Sequence, residues 1–363
     1  MKKLLVILLV LGLAAPAMAA EWNFFGSARM ATFWTDFDPE DLEDLGVGDD
    51  EGLQHFLQGN SRIGANVKVN DQIGGAFEYG AGGGNASIRK LYGTYNFGSG
   101  SLLVGQTYTP TSNYFYSNSV FGEDGDLLGR GQFYAGRRAM VQLTIDGFKF
   151  ALVSPTAGTD ELGGFTDVDV SLPKFEASYN LKSDVFFIDV FAGYQTYELE
   201  DADEDTVDVD AYTIGVGGGV MFGPVTLSAA VNMGQNYASY GATTATYGAI
   251  DRDDIIGLYG PVLDGDDTED SDALQAMFVA NFKVSDTLAF EAGVGYAQYE
   301  NDAFDDASLE EWQYYANAVI TIAPGFFVVP EVGMINLQGD DLGIDAEDLG
   351  EVTYLGLKWQ INF

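Results

Sequence analysis

The stretch that decides the fold is Leu57-Gln-Gly-Asn-Ser-Arg-Ile-Gly-Ala-Asn-Val-Lys-Val69, in which polar and apolar side chains alternate. The polar face carries Gln58, Asn60, Arg62, Asn66 and Lys68. The apolar face carries Leu57, Ile63, Ala65, Val67 and Val69. A period of two residues predicts a β-strand with one polar and one apolar face. A segment of this length is long enough for a tilted strand to cross a bilayer.

The same alternation recurs along the chain. Apolar faces are formed by Phe186, Ile188, Val190, Ala192 and Tyr194; by Leu274, Ala276, Phe278, Ala280 and Phe282; and by Leu355, Leu357, Trp359, Ile361 and Phe363. The opposite faces carry polar residues such as Asp189, Asn281 and Lys358. Soluble β-sandwiches also alternate, so the strands alone do not identify the solvent.

The links between strands are alternately very short and long. The seven tight turns are Asn70-Asp71, Gly98-Ser-Gly100, Asp146-Gly147, Lys182-Ser-Asp184, Gly223-Pro224, Ser285-Asp286 and Ala323-Pro-Gly325. The eight longer loops span 35–53, 80–86, 110–131, 154–172, 200–206, 238–271, 299–311 and 338–350. Fifteen links imply sixteen strands, an even number with both termini on the side of the tight turns, as in bacterial outer-membrane barrels.

Acidic residues concentrate in the long loops. Seven of them hold 40 of the 55 Asp and Glu residues, with only Arg130 and Arg252 as basic residues. We therefore expect an all-β, transmembrane, antiparallel barrel with short periplasmic turns and long acidic extracellular loops. Closure is required because an open sheet edge in lipid leaves unpaired N–H and C=O groups. Aromatic girdles are expected from Trp22, Phe24, Trp34, Tyr79, Tyr299, Trp312 and Trp359.

The first twenty residues form a separate unit. Lys2 and Lys3 precede the apolar run Leu4 to Leu13, and Ala17-Met-Ala19 matches a small-x-small cleavage site, so residues 1–20 are predicted to be a signal peptide. The barrel is predicted over residues 21–363. Removing the two lysines changes the formal net charge from −39 to −41, which disfavours nucleic-acid binding. The absence of cysteine excludes disulfides and thiolate metal sites.

Three segments carry a family resemblance. The stretch 87–110, containing Arg89, the Gly98-Ser-Gly100 turn and Gly105-Gln106, resembles the fourth and fifth strands of the general bacterial porins, although Gln106 stands where the family usually has Arg. The segment 134–150 looks like the sixth and seventh strands. The segment Thr353 to Phe363 resembles the C-terminal signal that outer-membrane assembly machinery recognises.

This resemblance implies a trimeric pore whose third loop, here 110–131, folds into the barrel. The inward faces place Arg29, Arg62, Arg89 and Arg138 on neighbouring strands as a basic ladder, with Arg137 as the alternative to Arg138. Opposite them the third loop is expected to present Glu123, Asp124 and Asp126. Such a transverse field would orient polar solutes. The alternative is that each arginine only pairs with a nearby carboxylate or lies at a rim of the barrel.

Three other sequence features bear on alternative functions. The acidic run 201–210 lacks the EF-hand glycine, so loosely bound Ca²⁺ bridging the loops to lipopolysaccharide is favoured over a specific site, and no cofactor is expected. Gly215 to Gly219 does not complete a nucleotide-binding motif. A hydrolase would depend on the single histidine, His55, with Asp49 or Asp50, and a rim histidine is more often a plain polar residue.

The sequence therefore predicts an outer-membrane porin for passive diffusion of small hydrophilic solutes and ions. Cation preference is expected because the mouth holds most carboxylates. Two other functions stay open, namely a substrate-selective channel and a structural or adhesive barrel with a plugged lumen. An aromatic track of Tyr108, Tyr114, Phe115 and Tyr116 would favour the selective channel, but these rings could equally anchor the third loop.

Overall fold

The computed structural model describes residues 20–39, 50–82, 85–157, 165–201, 206–244, 258–264, 267–304, 307–340 and 348–363. The predicted signal peptide lies outside this described part except for Ala20. Within these residues no helix is long and apolar enough to cross a membrane.

Sixteen antiparallel strands form a closed barrel, as the links predicted. They are β1 (Glu21–Asp38), β2 (Asp50–Leu57 and Arg62–Lys68), β3 (Ile73–Gly80), β4 (Ser87–Asn96), β5 (Ser101–Tyr108), β6 (Arg137–Ile145), β7 (Phe148–Val153), β8 (Phe165–Asp169 and Lys174–Lys182), β9 (Phe186–Asp201), β10 (Thr206–Phe222), β11 (Val225–Gln235), β12 (Ser271–Lys283), β13 (Leu288–Asn301), β14 (Ser308–Ala323), β15 (Phe326–Asp340) and β16 (Asp348–Asn362). Strand β1 closes the barrel by pairing with both β2 and β16.

The last residue completes this closure. Phe363 exchanges two backbone hydrogen bonds with Gly26, of 2.7 and 3.0 Å, so that the ladder between β1 and β16 is paired to its end. The ring of Phe363 is 74% exposed on the outer surface. The C-terminal strand is thus the partner that removes the last free edge of the sheet.

Two strands are interrupted part-way along. Strand β2 leaves the ladder between Leu57 and Arg62, although the alternation there predicted a continuous strand. Here the side-chain amide of Gln58 and the backbone amide of Gly59 donate hydrogen bonds to the loop that follows β5. Strand β8 breaks before Lys174, where Pro173 lacks the N–H that a ladder needs.

All seven predicted tight turns are present at one end of the barrel. The turn Asp146-Gly147 has positive φ at both residues, +47° and +86°, which is the geometry of a two-residue hairpin that Asp-Gly favours. The strands at the other end extend further than the sequence indicated. For example, Phe37 pairs with Asp50, inside the predicted first loop. Backbone pairing between strands continues beyond the bilayer because its hydrogen bonds also form in water.

The distribution of polarity is inverted relative to a soluble protein. Ile63, Ile214 and Leu355 are 54–59% exposed on the outer face, whereas Gln275 and Glu331 are almost fully buried inside. An outward apolar belt and a polar interior indicate that lipid surrounds the barrel. Tyr299 departs from the predicted girdle, because it points inward and its hydroxyl donates to the carbonyl of Gly129.

Candidate functional site

The segment between β5 and β6, here called loop three (residues 109–136), folds into the barrel. Its outgoing arm first meets β8, where the amide and hydroxyl of Thr111 donate to Glu176 at 3.0 and 2.8 Å. Tyr116 then donates its hydroxyl to Asp189 on β9 at 2.8 Å. The amide and side chain of Asn118 both donate to Glu291 on β13 at 2.6 Å. Carboxylates on the barrel wall therefore hold this arm.

Glu331 on β15 is the most heavily used of these anchors. Its carboxylate is 2% exposed and accepts the amides of Val120 and Phe121, at 2.7 and 3.1 Å, and the hydroxyl of Ser119 at 2.8 Å. It also accepts hydrogen bonds from Asn317 and Tyr354. Among the described residues no cation lies within salt-bridge distance of it, so hydrogen bonds alone satisfy the buried carboxyl group.

The tip of loop three reaches β1, β2 and β16. Glu123 accepts the amide of Gly59 at 2.7 Å, and Asp124 forms ion pairs with Arg29 and with Lys358. The sequence interpretation placed the loop carboxylates opposite the arginines. For Arg29 and Asp124 this separation is wrong, because the loop crosses far enough to bring the two groups into contact.

The two tip aspartates have different protonation chemistry, and both belong to the loop rather than to a membrane-spanning strand. Burial raises the pKa of Asp124, but Lys358 and Arg29 lower it by more, so its pKa lies below the ordinary value. Asp126 retains some contact with solvent, yet desolvation by the surrounding protein and the nearby Asp124 raise its pKa well above the ordinary value. Among the described residues Asp126 forms no ion pair.

The returning arm of loop three runs back past β14, β12 and β11. Arg130 forms an ion pair with Glu311 on β14 at 2.8 Å, and Asn232 on β11 donates to the carbonyl of Gly131 at 3.1 Å. Gly131 has φ of +100°, and a Cβ there would lie 2.4 Å from the carbonyl oxygen of Ala276, so only glycine allows this approach. Hydrogen bonds from loop three thus reach β8, β9, β11 and β13–β16 as well as β1 and β2.

A second loop that folds into the barrel packs against loop three. The short helix Tyr237–Tyr240 between β11 and β12 lies inside the barrel, where Phe133 packs edge-on against Tyr237 and Tyr240. The ammonium of Lys174 donates to the carbonyl of Tyr240. Together the two loops contact β8–β16, and the tip of loop three also contacts β1 and β2. The other predicted arginines lie on the wall from β2 to β6.

That wall is basic. Glu78 on β3 accepts Arg89 at 2.8 Å, Lys90 at 3.3 Å and Arg62 at 3.5 Å, so one carboxylate serves three cations. The structure therefore brings the predicted residues Arg62 and Arg89 together. Arg138 lies apart, with its nearest hydrogen bond at 3.4 Å to the carbonyl of Ala135, and it has no ion pair in the described part of the chain.

The proposed aromatic track divides into two groups. Tyr114 stacks on Phe191, and Tyr116 is bound to Asp189, so these two rings fasten loop three to the wall. Tyr108 and Phe115 instead meet each other edge-on at 5.5 Å.

The sequence reasoning missed the wall carboxylates and Lys358. The signal for them was a single acidic residue in the polar face of each of β8, β9, β13 and β15. Their partners are groups of a distant loop, which no spacing rule reveals. His55 lies exposed on the outer side, with its Nδ1 2.9 Å from the hydroxyl of Thr32. The described residues contain no group of three or more His, Asp or Glu arranged to hold a metal ion.

No protein-family model and no curated protein sequence matches the chain. Solved structures do match. The outer-membrane channel DcaP of Acinetobacter baumannii superposes with a TM-score of 0.68 at 17% identity, over 95% of this chain and 97% of that one. The chain has the porin fold.

Two further structures agree with this assignment. The porin-fold chain matches the anion-selective porin of Comamonas acidovorans with a TM-score of 0.59 at 12% identity, over 95% of this chain and 100% of that one. The trimer form of OmpT, an outer membrane protein of Vibrio cholerae, gives 0.58 at 14% identity, with the same coverage. These identities show the fold, and the porin-fold barrel is an outer-membrane protein.

Proposed function

We propose that the barrel is a water-filled channel for passive diffusion of small hydrophilic solutes and ions across the outer membrane. The observation that supports this most directly is the position of loop three. Its hydrogen bonds and ion pairs hold it inside the barrel against β8–β16, β1 and β2, while the wall from β2 to β6 carries charged side chains such as Arg62, Arg89 and Arg138. Charged groups facing a narrow lumen are the elements that set selectivity in channels.

A preference for small cations over anions is part of this proposal. The acidic mouth concentrates cations at the entrance. The basic wall opposes this effect inside the constriction, so the balance depends on screening. Fields from the mouth extend about 10 Å at 0.1 M salt but only about 3 Å at 1 M. We therefore expect cation preference at low salt that weakens as salt rises.

Reversal potentials of the protein in planar bilayers test the selectivity. A KCl gradient around 0.1 M should give a potential of the sign for cation preference, and a gradient around 1 M should give a smaller value. A potential of the sign for anion preference at low salt would contradict the proposed selectivity. It would leave the channel itself intact.

Liposome swelling with sugars of graded size separates the remaining candidates. A diffusion channel admits solutes with rates that fall smoothly with size. A substrate-selective channel admits one solute much faster than its size predicts. A plugged structural or adhesive barrel gives no swelling, and that result would reject diffusion.

We also propose a homotrimer whose acidic loops contact lipopolysaccharide through loosely bound divalent cations such as Ca²⁺. The exposed Phe363 ring at the end of β16 is a suitable feature for recognition by the outer-membrane assembly machinery. Cross-linking in native membranes should give a band at three times the monomer mass. Deleting Phe363 should lower the amount of assembled barrel.

A further inference from the structure

A lysine is hidden inside the barrel beneath loop six, the name used here for residues 236–244, which include the short helix Tyr237–Tyr240. This residue is Lys174, the first residue of the second part of β8, and it is fully buried. Its ammonium donates to the carbonyl of Tyr240 and lies 4.0 Å from the centre of the Tyr240 ring. One residue of loop six therefore supplies two of the groups that cover this charge.

The groups that cover Lys174 are neutral. Among the described residues Lys174 forms no ion pair, and residues 236–244 contain no charged side chain. A carbonyl oxygen and the face of a ring attract an ammonium without cancelling its charge. Glu176, two residues along the strand, accepts hydrogen bonds from Thr111 of loop three and from the Tyr240 hydroxyl. The positive charge of Lys174 is thus kept from the lumen by the cover of loop six.

The barrel wall is shaped to receive the rings of loop six. A Cβ at Gly193 on β9 would lie 1.8 Å from the hydroxyl oxygen of Tyr240. A Cβ at Gly234 on β11 would lie 2.5 Å from the ring of Tyr237. Each glycine allows a tyrosine ring to approach the strand more closely than any other residue would. The cover over Lys174 therefore depends on the absence of a side chain at Gly193.

Loop six also rests on a second cation and on loop three. Gly241 has φ of +78°, and a Cβ there would lie 2.7 Å from Nη2 of Arg138 and 2.5 Å from the hydroxyl oxygen of Thr156. The amide of Thr243 donates to the carbonyl of Tyr134 in the returning arm of loop three at 2.7 Å. Loop six is therefore held by the wall on one side and by loop three on the other.

We propose that loop six tunes the ion selectivity of the channel by covering Lys174, and that Tyr240 is the specificity-determining residue of this cover. With Tyr240 in place, the wall that ions meet lacks one of its cations. Without it, the ammonium reaches the water of the lumen and repels cations. A unit charge within about 7 Å of the ion path should lower the cation-to-anion permeability ratio by about threefold at 0.1 M salt, and 1 M salt should screen nearly all of this effect. The selectivity role rests on the proposed diffusion function, whereas the cover itself does not.

Acetylation of lysines by sulfosuccinimidyl acetate, followed by mass spectrometry, tests the cover in the folded, detergent-solubilised barrel. Lys68 and Lys283, whose side chains are 57% and 61% exposed, are internal references. In the wild type, Lys174 should react at least about tenfold more slowly than the references, because its reaction requires local opening of loop six. Tyr240→Ala should remove most of this protection. Equal reactivity of all three lysines in the wild type, or full protection of Lys174 in Tyr240→Ala, would overturn the cover.

Reversal potentials in planar bilayers test the effect on selectivity. Gly193→Ala places a Cβ where the Tyr240 hydroxyl lies, so it should lower the cation-to-anion ratio by about threefold in 0.1 M KCl and hardly at all in 1 M KCl. Adding Lys174→Met to Gly193→Ala should restore the ratio of the wild type, which a mere structural opening would not do. The matched control is Gly93→Ala on β4, where the nearest atom to a new Cβ lies 3.8 Å away, and it should behave as wild type.

The outcomes separate the cover, its effect on selectivity and the channel. Heat-modifiable migration in gels shows that each variant is folded. An unchanged ratio in Gly193→Ala and Tyr240→Ala, with Lys174 reactive in both, would mean that the uncovered ammonium pairs with Glu176, and it would overturn the selectivity role. The predicted labelling in folded barrels that carry no current would reject the diffusion channel and the selectivity role with it, while the cover over Lys174 would stand.

Discussion

Replacing Glu331 with alanine should release loop three from the barrel wall. The carboxylate accepts five hydrogen bonds, and two of them come from the backbone amides of Val120 and Phe121. A buried donor left without an acceptor costs about 1–3 kcal/mol. The two amides alone therefore weaken the docking of the loop by about 2–6 kcal/mol. Every 1.4 kcal/mol is a factor of ten in the docking equilibrium, so the undocked population should rise by at least tenfold.

Single-channel conductance and liposome swelling measure this change. Glu331→Ala should show larger or more variable conductance steps and admit larger sugars than the wild type. Glu331→Gln should give a conductance and a sugar size limit between those of Glu331→Ala and the wild type, because glutamine keeps one carbonyl acceptor but adds an N–H₂ group that faces other donors. Glu198→Ala, which removes an exposed carboxylate from the outer end of β9, is the control and should behave as wild type.

A folded Glu331→Ala barrel with the conductance and sugar size limit of the wild type would show that Glu331 does not hold loop three in place. It would mean that the remaining contacts of loop three, such as those of Glu291, suffice to hold it in place.

Three further predictions follow from the charges and the lipid belt. Because its pKa is raised, Asp126 becomes neutral at a higher pH than other aspartates, so the wild type should lose part of its cation preference before the pH falls to the ordinary aspartate range. Asp126→Asn should abolish this early loss. Reversal potentials from pH 8 to pH 4 measure it. Arg89→Gln should increase cation preference in 0.1 M KCl, since it removes one cation from the wall around Glu78. Ile214→Arg on the lipid-facing side of β10 should destabilise the barrel by about 2–4 kcal/mol in urea unfolding from lipid vesicles, whereas Ser285→Arg in a tight turn should cost less than about 1 kcal/mol.

Much of the fold could be predicted from the sequence because lipid imposes a strict pattern. The faces assigned to β9, β12 and β16 are confirmed by exposed Ile188, Phe278 and Leu355 on the outside. A slip of one residue would have reversed each of them, and the tight turns prevent such a slip by fixing the register. The seven turns were therefore the most informative part of the chain.

The candidate site was less predictable because it depends on contacts between distant segments. The inward position of Arg62 follows from alternation, but its sharing of Glu78 with Arg89 and Lys90 depends on an irregularity in the pairing of β3 and β4. The irregularity sets two consecutive basic residues, 89 and 90, beside the same carboxylate. Similarly, the reach of loop three to Arg29 depends on wall anchors that lie more than 50 residues away in sequence.

If lipid surrounds this barrel and water crosses it beside loop three, the purified, folded protein conducts ions once it has entered a planar bilayer. Single-channel recording at several KCl concentrations should then show stepwise insertions whose conductance grows nearly in proportion to salt at high concentration. Folded barrels that insert into the bilayer and carry no measurable current at any salt concentration would show instead that the lumen is closed.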